Sequence, residues 1–190
     1  MRLLLATHNE HKRREFARLL RTHEIVVLPD GVQLPPEDGE TFVENALGKA
    51  RAAADATGEV AIADDSGIEA AALGGAPGVR SARYAGEQAD DAENLAKLLR
   101  EAPAGSALRY VCALVYVDPR GGVERVFEGY CSGRVAERPR GEAGFGYDPA
   151  FLPDAGPPGL TMAELSDEEK DAISHRGHAA RALERWLRTG

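Results

Sequence analysis

The sequence has few of the features that mark membrane or secreted proteins. Among its 190 residues, only Cys112 and Cys131 are cysteines. Both fall in apolar, strand-like segments, where a thiol usually serves as a small buried hydrophobe, so we expect no structural disulfide. No apolar run approaches the roughly 20 residues that a membrane span requires, and the apolar segment at the N-terminus, which ends at Thr7, is too short for a signal-peptide core. We therefore expect a cytoplasmic protein without membrane contact.

Positive charge is scarce as well. The net charge of -8 argues against a protein that grips a nucleic-acid backbone, although a polyanionic small molecule could bind where a few cations gather. Only four of the 23 basic residues are lysines, namely Lys12, Lys49, Lys97 and Lys170. Either these positions need a compact ammonium group with three donors, or the small number is chance.

At 190 residues the chain is long enough for one well-buried core, so we expect a single domain spanning residues 1–190. We predict strands at 2–6, 25–28, 60–63, 108–117 and 123–130, the last two forming a hairpin. We predict helices from about 10 to 21, from 41 to a stop at Gly58, over 91–100 and over 175–188. Residues 29–40, rich in proline, glycine and acids, are predicted to form a loop.

An apolar segment, residues 60–63, leads directly into Asp64, Asp65, Ser66 and Gly67. Two neighbouring carboxylates in a partly dry site repel each other, so they are tolerated where a divalent cation lies between them or where one carboxyl group has a raised pKa. Either arrangement suits chemistry on water or phosphate. The alternative is an Asx-turn, in which the Asp side chains cap their own backbone where the strand ends.

Cap-type side chains at residues 7–9 precede the first predicted helix. Unpaired backbone N–H groups at a helix start, together with hydroxyl and amide side chains, can bind phosphate oxygens, and Lys12 lies about one turn further on. The alternative is that Thr7 or Asn9 only caps the helix and that Lys12 is solvated.

Two later segments offer further ligand contacts. Phe145 and Tyr147 stand among glycines, an arrangement that suits stacking on a nucleobase, although both rings could instead be core side chains. Lys170 and the helix start at 174–177 supply more cations, or else His175 is a cap and Arg176 is solvated. Together, these segments supply what a nucleoside triphosphate hydrolase needs: anion donors, a metal-capable acidic pair, a stacking loop and further cations.

The same segments closely resemble the motifs of the pyrophosphatases of non-standard purine nucleoside triphosphates, the Ham1/inosine triphosphatase family of house-cleaning enzymes. The resemblance rests on Thr-x-Asn-x-x-Lys at 7–12, Ala-Asp-Asp-Ser-Gly at 63–67, Leu-Gly-Gly-Ala-Pro-Gly at 73–78 with Ser-Ala-Arg-Tyr at 81–84, Phe-Gly-Tyr-Asp-Pro at 145–149 and Ser-His-Arg-Gly at 174–177. These motifs run in the family's order along nearly the whole chain.

The resemblance implies an α/β fold with a mixed central β-sheet, flanking helices and two lobes around an active-site cleft, in a homodimer. It implies Mg²⁺-dependent hydrolysis of ITP, dITP and XTP to the monophosphate and pyrophosphate. Asp65 would be the proton acceptor and a Mg²⁺ ligand. The substrate would be bound by Thr7, His8, Asn9, Glu10, His11, Lys12, Ser66, Phe145, Gly146, Tyr147, Asp148, Lys170, His175 and Arg176.

One departure concerns the second metal ligand. The family usually has a glutamate before the glycine that precedes the second helix, often as a Glu pair, and here the segment reads Pro-Pro-Glu-Asp-Gly at 35–39. Glu37 is our candidate ligand, with Asp38 or Glu40 as alternatives.

Base selection follows from the C6 position, where hypoxanthine and xanthine present a carbonyl acceptor and adenine an amino donor. A donor placed there rejects ATP, whereas excluding GTP needs a further contact at its C2 amino group.

Two other functions stay open. One is a nucleotide-binding sensor without catalysis, suggested by the unusual residues 36–37. The other is a pyrophosphatase for other nucleotides, such as the Maf type, against which the Phe145 and His175 motifs argue.

Overall fold

The computed structural model describes residues 1–189, in which six strands and five helices follow one another along the chain. The strands are β1 (Arg2–Leu5), β2 (Glu24–Val27), β3 (Ala61–Ala70), β4 (Ala107–Asp118), β5 (Val123–Val135) and β6 (Phe151–Pro153). The helices are α1 (Glu10–Leu19), α2 (Phe42–Thr57), α3 (Asp91–Glu101), α4 (Asp167–Ile173) and α5 (His175–Thr189). Short 3₁₀ turns cover Ala71–Leu73, Gly78–Arg83, Asp148–Ala150 and Met162–Glu164.

All six strands form one sheet in the order β2-β1-β3-β4-β5-β6. Strand β1 pairs in parallel with β2 on one side and with β3 on the other, whereas β5 and β6 are antiparallel. The predicted mixed sheet with flanking helices is therefore confirmed. Its parallel part depends on β1, whose Leu3, Leu4 and Leu5 are fully buried, as expected of a strand that has a neighbour on each edge.

The third strand differs from its prediction in a way that matters for the site. We expected it to end at Ala63, before the two aspartates, but β3 continues to Ala70 and contains Asp64, Asp65 and Ser66. The Asx-turn interpretation of this segment is therefore wrong. An acid in mid-strand is unfavourable in isolation, and buried partners offset that cost here.

Helix ends agree with the cap signals in the sequence. Thr41 and Glu44 form the expected capping box at the start of α2, and Gly58, with φ 67°, ends that helix in the left-handed region. The predicted helices α1, α3 and α5 and the β4–β5 hairpin are confirmed within a few residues, apart from the additional 131–135 in β5. Strand β6 and helix α4 were not predicted, since each is too short to show a period.

The chain divides into two compact units, and each has its own apolar core. The first unit comprises Met1–Asp65, Cys112–Gly129 and the C-terminal part from Arg176. Its core includes Leu3, Phe16, Leu20, Ile62 and Leu183. The second unit comprises Ser66–Val111 and Tyr130–His175. Its core includes Ile68, Leu98, Tyr110, Phe151 and Met162.

The two cysteines are buried and both are free thiols, as predicted. Burial raises the pKa of the Cys131 thiol to about 12. Within residues 1–189, no helix is both long and apolar enough to cross a bilayer.

Candidate active site

Asp64, in the middle of β3, is held by positive charge. Its side chain is fully buried, with Oδ1 at 3.2 Å from Lys12 Nζ and Oδ2 accepting a 3.2 Å hydrogen bond from Arg176 Nε. Its backbone carbonyl accepts a 2.7 Å hydrogen bond from Lys49 Nζ. Burial alone would raise the pKa of Asp64, but the charges of Lys12, Arg176 and Lys49 outweigh it and hold that pKa well below its usual range. The surrounding cations therefore favour the ionised form of Asp64.

The next residue, Asp65, has the opposite electrostatic environment. It is 5% exposed, and its Oδ2 accepts a 2.9 Å hydrogen bond from Asn45 Nδ2 on α2. Burial raises its pKa, and the negative charge of Glu37 adds to that rise, while Lys49, Lys12 and the Asn45 hydrogen bond oppose it only in part. Two adjacent carboxyl groups with diverging pKa values are the arrangement expected where one acts in acid–base chemistry and the other holds charge.

Glu37 is the acid of the 37–40 segment that reaches this cluster. Its carboxylate pairs with Lys49 Nζ, and its negative charge contributes to the raised pKa of Asp65. Asp38 and Glu40 are exposed. Gly39 holds the segment against α2, because its N–H donates to Asn45 Oδ1 at 2.8 Å and an added Cβ would lie 2.7 Å from the same atom.

The segment at the start of α1 caps that helix, and its lysine faces a buried carboxylate. Asn9 is the N-cap, accepting from Lys12 N–H at 3.1 Å, and Thr7 Oγ1 accepts from Asn9 N–H at 3.1 Å. Capping is therefore confirmed for this pair of side chains. The ammonium group of Lys12 is not solvated, because it is paired with Asp64. His8, Glu10 and His11 are exposed, and Glu10 pairs with Arg13 and Arg14 on its own helix.

Arg176, in the first turn of α5, is held between two acids. Its Nη1 donates to Glu15 Oε2 at 3.0 Å and its Nε donates to Asp64. The side chains of Arg176 and Glu15 are only 5% and 7% exposed. Burial alone would lower the pKa of Arg176, but Glu15 and Asp64 raise it. The alternative of a solvated Arg176 is therefore wrong. We call these side chains the ion cluster; its members are Lys12, Glu15, Glu37, Asn45, Lys49, Asp64, Asp65 and Arg176.

Asp148 organises a second group of side chains, which lies in the second unit. Its Oδ2 accepts from Lys170 Nζ at 2.7 Å and from the Phe145 N–H at 3.0 Å, while its Oδ1 accepts from Tyr110 Oη at 3.0 Å. Asp148 is 3% exposed and Lys170 5%. Three donors compensate the buried charge, as a carboxylate in such a place requires.

The loop before Asp148 needs glycine for steric reasons. Gly144 has φ 74°, and an added Cβ would lie 2.1 Å from Asp148 Oδ2. This close approach places the half-buried Phe145 ring 5.3 Å from Lys170 Nζ. The neighbouring Gly146 N–H donates to Asp91 Oδ2 at 2.9 Å.

Tyr147 and His175 complete this group. Tyr147 is 6% exposed and donates to the Ser81 carbonyl at 2.7 Å, so the core interpretation is confirmed for its ring. The imidazole of His175 stacks on the Tyr110 ring with centroids 4.6 Å apart and planes 8° from parallel. We call Tyr110, Phe145, Tyr147, Asp148, Lys170 and His175 the aromatic-loop cluster. Ser66, which follows Asp65 in β3, is half-buried.

Sequence reasoning missed Glu15, Asn45, Lys49 and Tyr110 as site residues. Three of them are polar side chains on helices, where the pattern cannot distinguish a buried partner of a distant charge from a solvated side chain. The small number of lysines in the sequence was the signal that could have identified Lys49. Lys12, Lys49 and Lys170 each pair with a carboxylate, and Lys97 donates to the Tyr84 carbonyl at 2.8 Å with its ammonium 4.3 Å from the Tyr84 ring centroid.

A mixed six-stranded sheet with two buried aspartates in β3, flanked by helices that carry the paired lysines, defines the class of this chain: an α/β protein. Its family is shown by comparison: the chain belongs to the Ham1 family, whose model matches residues 3–186. It is 49% identical to a dITP/XTP pyrophosphatase of Frankia alni, over 99% of this chain and 98% of that one. It is 50% identical to a protein of the same name from Geobacillus kaustophilus, over 97% and 93%. The solved structure of a HAM1 protein from Coxiella burnetii superposes with a TM-score of 0.86 at 40% identity and covers 100% of both chains.

Proposed function

We propose that this protein hydrolyses the non-standard purine nucleoside triphosphates ITP, dITP and XTP to the monophosphate and pyrophosphate, removing them from the nucleotide pool. The names of the related proteins support this activity. The observation that carries it in this chain is the ion cluster, in which the carboxyl group of Asp65 has a raised pKa beside two lysines and the ionised Asp64. A poised base among fixed cations suits the attack of water on a phosphate chain.

The cofactor we propose is Mg²⁺, held by Asp65 and Glu37. No group of three or more His, Cys, Asp or Glu side chains in residues 1–189 is placed to hold a metal ion. Mg²⁺ does not require such a group, since it usually takes one or two carboxylates and fills its other positions with water and substrate phosphates. Glu37 and Asp65, which both belong to the ion cluster, would supply these carboxylates. When bound, the ion would neutralise charge on the phosphates and promote deprotonation of the attacking water.

The other residues of the ion cluster would have separate roles in the reaction. Asp65, oriented by Asn45, would accept the proton of the attacking water. Lys12 and Lys49 would offset negative charge that moves onto the leaving pyrophosphate. Asp64 and Glu15 compensate Arg176 and hold the side chains in place before substrate arrives, which lowers the cost of ordering them during the reaction.

We assign recognition of the base to the aromatic-loop cluster. The Phe145 ring would stack on the purine, an interaction worth roughly 1–3 kcal/mol per base. A buried donor opposite the C6 position would accept hypoxanthine and xanthine and reject adenine, because adenine would leave that donor unpaired. The homodimer, the cytoplasmic location and the cleft between two lobes remain predictions.

The test is a product assay on the purified protein with ITP, XTP, ATP and GTP in the presence of Mg²⁺. We expect inosine and xanthosine monophosphates with stoichiometric pyrophosphate, and little turnover of ATP or GTP. In the same assay, Asp65→Asn removes the basicity while nearly preserving the shape, so turnover should be lost almost completely while the protein stays folded. The exposed Asp38→Asn is the matched control. Orthophosphate as the product, or equal turnover of ATP, would contradict the proposal.

The sensor alternative rested on the unusual residues 36–37. Glu37 pairs with Lys49, whose ammonium group also donates to the Asp64 carbonyl, and this supports a catalytic role for the segment. ITP binding without turnover at any Mg²⁺ concentration would restore that alternative.

A further inference from the structure

Tyr110, on β4, lies outside the family motifs quoted above, and the resemblance gave it no role. It is 6% exposed, and its ring lies between two others, with centroids 4.6 Å from both Phe151 and His175. Its hydroxyl reaches Asp148. One side chain thus touches two residues to which the proposed function assigns substrate binding.

The hydroxyl completes the set of donors around the Asp148 carboxylate. Lys170 Nζ and the Phe145 N–H both donate to Oδ2, and Tyr110 donates to Oδ1. Donors on a single oxygen leave a carboxylate able to turn about that oxygen, whereas a donor on the second oxygen fixes its plane. The same Oδ2 accepts the loop's own N–H at Phe145, so the orientation of Asp148 bears directly on the loop that carries the stacking ring.

The ring of Tyr110 constrains a second group. The His175 imidazole stacks on this ring, with the two ring planes 8° from parallel, and His175 is 3% exposed. A flat side chain pressed against a fixed ring loses its rotation about χ2. The backbone of β4 holds Tyr110 itself, since this strand pairs within the sheet and contributes Leu108 and Tyr110 to the core of the second unit.

We propose that Tyr110 is a positioning residue for nucleobase recognition, acting through the Asp148 carboxylate by its hydroxyl and through the His175 imidazole by its ring. This inference rests on the proposed function, and it adds a residue outside the family motifs to the determinants of specificity. Asp148 and His175 make the contacts with substrate; Tyr110 sets the orientation in which they make them.

The test separates the two contacts by substitution. Tyr110→Phe removes the hydroxyl and keeps the stacked ring, and Tyr110→Leu removes both. For Tyr110→Phe we expect the KM for ITP to rise about tenfold with kcat within about twofold of wild type, the size of losing one hydrogen bond to a charged group. The preference for ITP over ATP in kcat/KM should fall by a similar factor. Tyr110→Leu should raise the KM for ITP further and lower the preference for ITP over ATP further. The matched control is Tyr130→Phe, at a tyrosine on β5 that is 43% exposed.

A purely structural role predicts a different result: a lower melting temperature with KM and the ITP/ATP preference unchanged. That result would overturn the inference. A double-mutant cycle with Asp148→Asn gives a second check, because Tyr110→Phe should have almost no further effect once the carboxylate is absent. Additive effects would also overturn the inference.

Product binding distinguishes this inference from the proposed function. By calorimetry, wild type should bind inosine monophosphate more tightly than adenosine monophosphate, and Tyr110→Phe should lose most of that difference. If wild type shows the preference and Tyr110→Phe keeps it in full, only the inference fails. If wild type binds neither nucleotide and does not cleave ITP, both fail.

Discussion

At the scale of single residues, two adjacent aspartates in one strand have pKa values that their surroundings shift in opposite directions. Asp64 is surrounded by the positive charges of Lys12, Lys49 and Arg176, so burial does not neutralise it. Asp65, the next residue, accepts a hydrogen bond from Asn45, and burial together with the negative charge of Glu37 raises its pKa. The sequence pattern Asp-Asp predicted a strained acidic pair. Lys12 and Lys49 act on both carboxyl groups, but Asp64 also accepts a hydrogen bond from Arg176, and only its pKa is lowered.

This difference predicts opposite effects of the same substitution on stability. Asp64→Asn leaves Arg176 and Lys12 short of a buried partner and should cost about 3 kcal/mol of unfolding free energy. Asp65→Asn should leave stability unchanged or raise it at pH 7.5, because the raised pKa means that the folded state disfavours the charged form. Urea unfolding followed by circular dichroism measures both changes. Asp38→Asn serves as the control, and equal losses in the two variants would show that the two environments are not distinct.

The site residues predicted from sequence are those with local signals. Asp65 follows an apolar run, Lys12 follows a helix cap, and Phe145 stands among glycines. Glu15 and Asn45 carry no such signal, because their partners, Arg176 and Asp65, are 161 and 20 positions away. A charge on a helix is ordinarily solvated, and only the packing of that helix against the sheet reveals the exceptions.

At the scale of secondary structure, the caps were predictable and the extent of β3 was not. Side-chain caps act over three residues, so Thr41 and Glu44 could be recognised directly. The continuation of β3 through Asp64 and Asp65 depends on neighbouring strands and buried cations, which no local window contains. Tertiary contacts override strand propensity at this point.

The capping box of α2 should affect turnover, because the first two turns of that helix contain Asn45 and Lys49 of the ion cluster. Thr41→Ala removes the acceptor for the Glu44 N–H and should cost about 1 kcal/mol of stability. Fraying of the first turn would displace Asn45 and so reduce kcat/KM for ITP. The matched control is Thr57→Ala at the other end of the same helix, which should leave turnover near the wild-type value. Equal turnover in the two variants would show that α2 is fixed by packing alone.

At the scale of the whole molecule, motif order along the chain does not reveal how the motifs are grouped. His175 and Arg176 are adjacent in sequence and belong to different compact units, as do Asp65 and Ser66. The ion cluster lies in the first unit and the aromatic-loop cluster in the second. Strands β3, β4 and β5 each contain residues of both units. Because the strands run through both units, predicting the strands did not reveal the division.

The proposed substrate should stabilise the folded state when it binds, because a ligand that binds only the native form shifts the unfolding equilibrium. An ITP analogue with an imido group between the α and β phosphates resists hydrolysis and, at about 100 times its Kd, should stabilise the folded state by about 2.7 kcal/mol. For a chain of this length, that corresponds to a rise in Tm of about 5–10 °C in the presence of Mg²⁺. Removing the metal with EDTA should abolish most of the shift, and the Mg²⁺-dependent part should be absent in Asp65→Asn, which lacks the proposed ligand. The corresponding ATP analogue is the control, and a shift as large as that of the ITP analogue would mean that the aromatic-loop cluster does not select the base.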